Sequence, residues 1–126
     1  MRVLLIGLGG FVGSVSRYWF GGLLQDMAPR SAFPVGTLAV NVIGCLAIGV
    51  LSELAEARGV FSPDTRAFLI VGLLGGFTTF SAFANETVSA IRDGSLSLAL
   101  ANVLMSVGAC LLAVWAGRTL AHSIWS

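Results

Sequence analysis

Four apolar runs, each at least 20 residues long, fill nearly all of this 126-residue chain: residues 3–24, 35–54, 66–91 and 96–121. At ~1.5 Å of helical rise per residue, 20 residues reach across the ~30 Å hydrocarbon core of a bilayer. A soluble domain of this size keeps too much surface in water to hide them, because 56% of the residues are hydrophobic and mean hydropathy is +0.93. The sequence therefore predicts an all-α membrane protein, a single four-helix transmembrane domain over residues 1–126. The connectors are short and carry turn residues: Pro29 and Pro34 in 25–34, Gly59 and Pro63 in 55–65, then Asp93-Gly94-Ser95. The N-terminus superficially resembles a signal peptide. Its apolar run continues through Tyr18, Trp19 and Phe20 without a convincing small-residue cleavage site, so it reads as a retained first span.

The third run holds what a spanning helix should avoid. Residues 75–83 read GGFTTFSAF. Adjacent glycines weaken a helix, and Thr78, Thr79 and Ser81 divert backbone hydrogen bonds to their hydroxyls. The helix is expected to break here. Irregular backbone persists inside a bilayer only where protein or a water-filled cavity satisfies it, so a break at this depth points to a site. Phe77, Phe80 and Phe83 recur at a spacing of three. They read as a packing stripe or as rings turned edge-on to a small anion, the edge being the positive part of the ring quadrupole.

Other polar residues cluster on helical faces. Thr37 and Asn41 stand one turn apart on the second run; Asn102 and Ser106 repeat that spacing on the fourth, with Cys110 continuing the face. The Asn41 amide brings donors without charge, suited to weak anion binding, while interhelical hydrogen bonding is its plainer use. Arg17 lies about two-thirds along the first run, where insertion scales charge ~2.5–3.5 kcal/mol for a central arginine. It fits either an interfacial anchor beside Tyr18 and Trp19 or a positive field at a pore mouth. Glu86 is the only carboxylate well inside a run and is a functional candidate on that ground. The GxxxG of Gly9 and Gly13, echoed by Gly44 and Gly49, reads as close helix packing. Cys45 and Cys110 are far apart and lack a CxxC or Cys/His pattern, so they read as small buried hydrophobes. No enzyme is expected: His122 has no Ser, Cys or carboxylate arrangement suggesting a hydrolase, and no nucleotide-binding loop occurs.

Charge bears on orientation. Net charge is +1 and all seven basic residues are arginine, which offers nothing to a nucleic-acid partner. Four spans put Arg2, Arg58, Arg66 and Arg118 on one side, and Arg30 and Arg92 on the other, joined by Arg17 if it faces that end. Because arginine excess in short loops sets orientation, this balance leaves the insertion direction weakly specified. Oppositely oriented copies would pair into an antiparallel homodimer with the inverted symmetry that many transporters obtain from internal repeats.

Three blocks in order, GGFVGSVSRY (9–18), PVGTLAVNVIG (34–44) and GLLGGFTTFSAF (72–83), resemble the signature blocks of the Fluc/CrcB fluoride channels over essentially the whole chain. The resemblance implies a passive, fluoride-selective channel in a bacterial plasma or inner membrane, a dual-topology antiparallel homodimer whose two pores export toxic cytoplasmic fluoride. By position, Phe80 and Phe83 resemble the phenylalanines whose ring edges line the fluoride path, and Asn41 the amide that hydrogen-bonds the ion. Thr37 and Ser81 join them as candidate pore residues. Ser106 matches a fourth-span hydroxyl beside the pore, Asn102 a neighbouring polar position, Arg17 a vestibule arginine and Glu86 the glutamate beyond the phenylalanines. Gly75 and Thr78 resemble residues whose backbone carbonyls, from both subunits, hold a structural Na⁺ at the dimer interface; hard oxygen ligands suit that cation. Ala82 and Ala84 depart from the family's usual hydroxyls, and Cys110 stands where serine occurs, which shortens the polar track. The other class weighed is a proton-coupled small multidrug exporter. It needs a carboxylate, characteristically in the first span, and residues 3–24 contain none.

Overall fold

The computed structural model describes residues 1–125 of the chain. The first span is α1 (Arg2–Asp26) and the second α2 (Val35–Arg58). The third, Pro63–Arg92, is composite: α3 (Pro63–Arg66), a π-helical stretch Ala67–Leu74, α4 (Gly75–Phe77) and α5 (Phe80–Arg92). The fourth is α6 (Leu96–Trp125). All four are long and apolar enough to cross a bilayer, and the chain is a multi-pass membrane protein.

The helices outrun the apolar runs that define them. α2 continues to Arg58, where residues 55–65 were expected to be connector, and α6 continues to Trp125. Good helix formers explain the extra turn of α2, and so does charge: Arg118 of α6 lies 3.1 Å from Glu56 and 3.6 Å from Glu53. Gly59 then stops α2 in the left-handed conformation (φ 59°), its N–H turned back to the Leu54 carbonyl. Ser62 starts the third span by accepting the Thr65 N–H at 3.1 Å, with Pro63 in the first turn.

Small residues set the packing, as they must where lipid tails remove the hydrophobic drive between helices. A Cβ on Gly9 would strike backbone at Phe68 and Leu73, and one on Gly13 would strike the backbone of Leu73 and Phe77. The GxxxG of α1 therefore packs within the chain, against the first half of the third span. Gly21 meets Gly36 between α1 and α2, and Gly49 meets Gly117 between α2 and α6. The largest fully buried side chain is Val40, whereas Phe11, Leu104, Leu111 and Trp115 face outward, as lipid allows. The third span changes neighbours along its length. Its π-helical stretch and α4 pack on α1, while α5 packs on α6.

Candidate functional site

Between α4 and α5 lie two extended residues, Thr78 (φ −89°, ψ 157°) and Thr79 (φ −150°, ψ 117°). Their side chains sustain that geometry. Thr78 Oγ1 donates to the Leu74 carbonyl at 3.0 Å, and Thr79 Oγ1 caps α5 by accepting the Ala82 N–H at 3.1 Å. From α2, Asn41 completes the arrangement with both ends of its amide. Nδ2 donates to the Thr79 carbonyl at 3.0 Å and Oδ1 accepts the Thr79 N–H at 2.8 Å, as a neighbouring β-strand would. The partners fix the amide's orientation, since a carbonyl needs a donor and an N–H an acceptor.

This pairing has a second effect. In a continuous α-helix the Thr79 N–H would reach the Gly75 carbonyl, and the Ala82 N–H the Thr78 carbonyl. Here those donors go to Asn41 Oδ1 and Thr79 Oγ1. The carbonyls of Gly75 and Thr78 are thereby released from their helical donors.

Beside the extended pair lies a cleft of about 410 Å³, walled by α2, the third span and α6. Asn41 and Cys45, Thr78 and Thr79, Phe80 and Phe83, and Ser106 and Cys110 line it, with aliphatic residues between them. No charged side chain does so among the described residues. Phe80 and Phe83 tilt at 52° with ring centres 5.4 Å apart. Phe80 is 77% exposed, so the cleft opens sideways. Gly44 makes room for the extended pair: a Cβ there would collide with the Thr78 methyl.

Residues 4–118 match the family described as CrcB-like protein, Camphor Resistance (CrcB). The chain belongs to the CrcB family. It is 44% identical over 116 residues to the "Fluoride-specific ion channel FluC" of Methylobacillus flagellatus, covering 92% of this chain and 91% of that one. With "Fluoride-specific ion channel FluC 3" of Methanosarcina barkeri it shares 42% over 124 residues, 98% and 92% of the two chains. The "Fluoride-specific ion channel FluC" of Solibacter usitatus is 47% identical over 122 residues, 97% and 99% of the chains. These relatives are named as ion channels, not enzymes.

In this CrcB chain the cleft gathers Asn41, Gly75, Thr78, Phe80, Phe83 and Ser106. Thr37, Ser81, Asn102, Glu86 and Arg17 lie outside its lining. Thr37 Oγ1 donates to Glu86 Oε1 at 2.7 Å, so the Thr37/Asn41 face of α2 is spent on the third span at two levels. Asn102, 3% exposed, accepts from Ser106 Oγ at 3.1 Å and donates to Thr87 Oγ1 at 2.9 Å; Thr87 in turn donates to the Phe83 carbonyl at 2.8 Å. That relay fastens α5 to α6 beneath Phe83. Ser81 is exposed and shares a 3.2 Å hydrogen bond with Thr79 Oγ1. Arg17 is half-buried on α1, and its Nε, like Glu86 Oε2, is buried without a hydrogen-bond partner among the described residues.

Two sequence readings change, and one residue was missed. Phe77 does not share a face with Phe80 and Phe83: it borders a separate hollow of about 280 Å³ with Ser16, Trp19, Phe20 and Leu23. The i, i+3 stripe assumed unbroken helical rotation, and two extended residues at ~3.3 Å each discard that phase. His122 Nδ1 lies 3.4 Å from Glu53 Oε1, a contact between the ends of α2 and α6 that makes no hydrolase arrangement. The extra turns of α2 and α6 brought them together. Cys45 of α2 and Cys110 of α6 line the same cleft, half-exposed on its wall rather than dispersed in a core. Thr87 escaped notice; its signal was a hydroxyl one turn after Phe83.

Proposed function

We propose that this chain is a fluoride-selective passive channel, working in the membrane as an antiparallel, dual-topology homodimer with two pores. The third transmembrane helix is broken at Thr78 and Thr79 to serve that function. The observation that carries the reading is the Asn41 clamp, which seats the Phe80/Phe83 pair in an uncharged cleft beside extended backbone. One hydrogen of the Asn41 amide is committed to the Thr79 carbonyl; the other remains for an anion. The edges of Phe80 and Phe83 add weak positive potential without a cation's grip. Ser106 commits its proton to Asn102, so it serves the path through the orientation of that relay. Fluoride is small and strongly hydrated. Several weak donors in a narrow path replace part of its water and still let it leave.

The dimer completes what one chain leaves open. Phe80 and Gly75 are exposed on the cleft side, and seven arginines divide four to three between the two ends, which favours neither orientation. Gly75 and Thr78 of each subunit would hold the Na⁺ at the interface. Their released carbonyls are the hard, uncharged oxygen ligands such an ion takes, and the ion would supply positive charge binding two broken helices together. A proton-coupled exporter finds no support, because no carboxylate lines the cleft among the described residues.

Reconstitution in liposomes with a fluoride electrode tests the reading. Rapid electrogenic fluoride efflux without a proton gradient, little chloride efflux, and loss of flux in Phe80→Ile are expected. Folded dimers that pass no fluoride, or only with a proton gradient, refute it. A C-terminal tag should be reachable from both membrane faces; access from one face alone ends the dual-topology part.

A further inference from the structure

The cleft wall carries a feature that fluoride conduction leaves unused. Gly49 of α2 packs on Gly117 and on the Val114 carbonyl of α6. α2 and α6 run parallel, Glu53 meeting Arg118 and His122 further along. One turn back on each helix, the same register sets Cys45 opposite Cys110. Both thiols are free, line the same cleft from facing helices, and are half-exposed to it.

We propose that Cys45 and Cys110 form a dithiol site on the cleft wall for a soft, two-coordinate divalent cation of the Hg²⁺ class. Sulfur ligands select soft metals. Two ligands suit a cation that prefers linear coordination, and no group of three or more His, Cys, Asp or Glu stands ready to build a tetrahedral zinc site among the described residues. Charge points the same way. Two thiols lose two protons as two S–Hg bonds form, so the bound unit is neutral, whereas a monovalent metal would leave a net negative charge in an apolar wall. The opening beside Phe80 gives the ion entry, and a metal bridging α2 and α6 there occupies the space next to Ser106.

Reduced protein in detergent is titrated with HgCl2 and followed by the ultraviolet thiolate-to-mercury absorbance. One Hg²⁺ per chain is expected. Because the second thiol is already in place, stripping it should take about 100-fold more competing monothiol than from Cys45→Ser or Cys110→Ser. Two Hg²⁺ per wild-type chain, or single variants that hold the ion as tightly as the wild type, overturn the proposal. The wild-type stoichiometry decides the matter even if a variant fails to fold. Block of fluoride efflux by the bound metal rests on the channel reading; the absorbance titration does not, so the two fail separately.

Discussion

Replacing Asn41 by alanine examines the clamp at its source. The substitution removes a donor 3.0 Å from the Thr79 carbonyl and an acceptor 2.8 Å from the Thr79 N–H. A buried backbone group left unpaired costs ~1–3 kcal/mol, so two cost about 2–6 kcal/mol before relaxation. Relaxation has one obvious route. The freed Thr79 N–H swings back toward the Gly75 carbonyl, helix re-forms across Thr78, and the α5 face that carries Phe80 and Phe83 turns away from Asn41. Allowing for that recovery of one bond, a loss of about 1–3 kcal/mol is expected, together with fluoride flux reduced to background. Thermal unfolding in detergent, followed by tryptophan fluorescence, reads the first quantity and liposome efflux the second. Asn41→Asp separates the clamp from mere bulk. It keeps the acceptor for the Thr79 N–H but, when ionised, turns an oxygen toward the Thr79 carbonyl. Acidification gives that oxygen a proton to donate, so the aspartate variant should gain stability as pH falls, whereas the alanine variant should not. An alanine variant within ~0.5 kcal/mol of wild type, the range of inconsequential surface changes, and with normal flux, would refute the reasoning.

Gly13→Ala should destabilise by about 1–3 kcal/mol, because the new Cβ meets the backbone of Leu73 and Phe77 rather than a side chain that yields. Gly22→Ala, which meets nothing within 4 Å, should be neutral or gain up to ~1 kcal/mol; equal melting temperatures for the two variants would contradict the packing described. Thr37→Val and Glu86→Ala, combined in a double-mutant cycle, should show coupling of about 1 kcal/mol through their hydrogen bond, and additivity would deny it. Exchanging Na⁺ for a large organic cation during purification should convert the dimer to monomer on size exclusion; an unchanged dimer removes the structural role of the ion.

How much of this was legible follows from where each constraint lies. Length and apolarity are local, and the four spans could be read from them to within a few residues. The misjudged ends were tertiary: the last turn of α2 is held by Arg118, 62 residues after Glu56. Glycines 9 and 13 announced close packing but not their partner, since the same small surface serves a neighbour in the same chain or in another. Residues 75–83 marked a weak point in the third span through local chemistry. What no single segment could show was that Asn41 reaches Thr79 across 38 positions, or that Cys45 and Cys110 line one cleft. Side-chain spacing carried Phe77 onto the wrong face for the same reason, because the rotation of a helix cannot be extrapolated through extended residues.

Hydrogen-bond accounting explains why one short stretch supplies ligands of opposite sense. Each donor that Thr79 and Ala82 withdraw from the helix exposes a carbonyl one turn earlier, and each donor withdrawn is met by a side-chain oxygen. Oxygens are thus released on the Gly75/Thr78 side, where the proposed Na⁺ would bind. The same two extended residues set the α5 face carrying Phe80 and Phe83, 5.4 Å apart, against the cleft, and one Asn41 hydrogen stays uncommitted, where the proposed path would meet an anion. Neither half forms without the other: a helix continuous through Thr78 would reclaim the Gly75 carbonyl and release the Asn41 amide at once. In the proposed dimer, selectivity for a small anion and assembly around a small cation would therefore be coupled through one side chain. Perturbing Asn41 should move fluoride flux and Na⁺-dependent dimer stability together, and a variant that separates them would show the two sites to be independent.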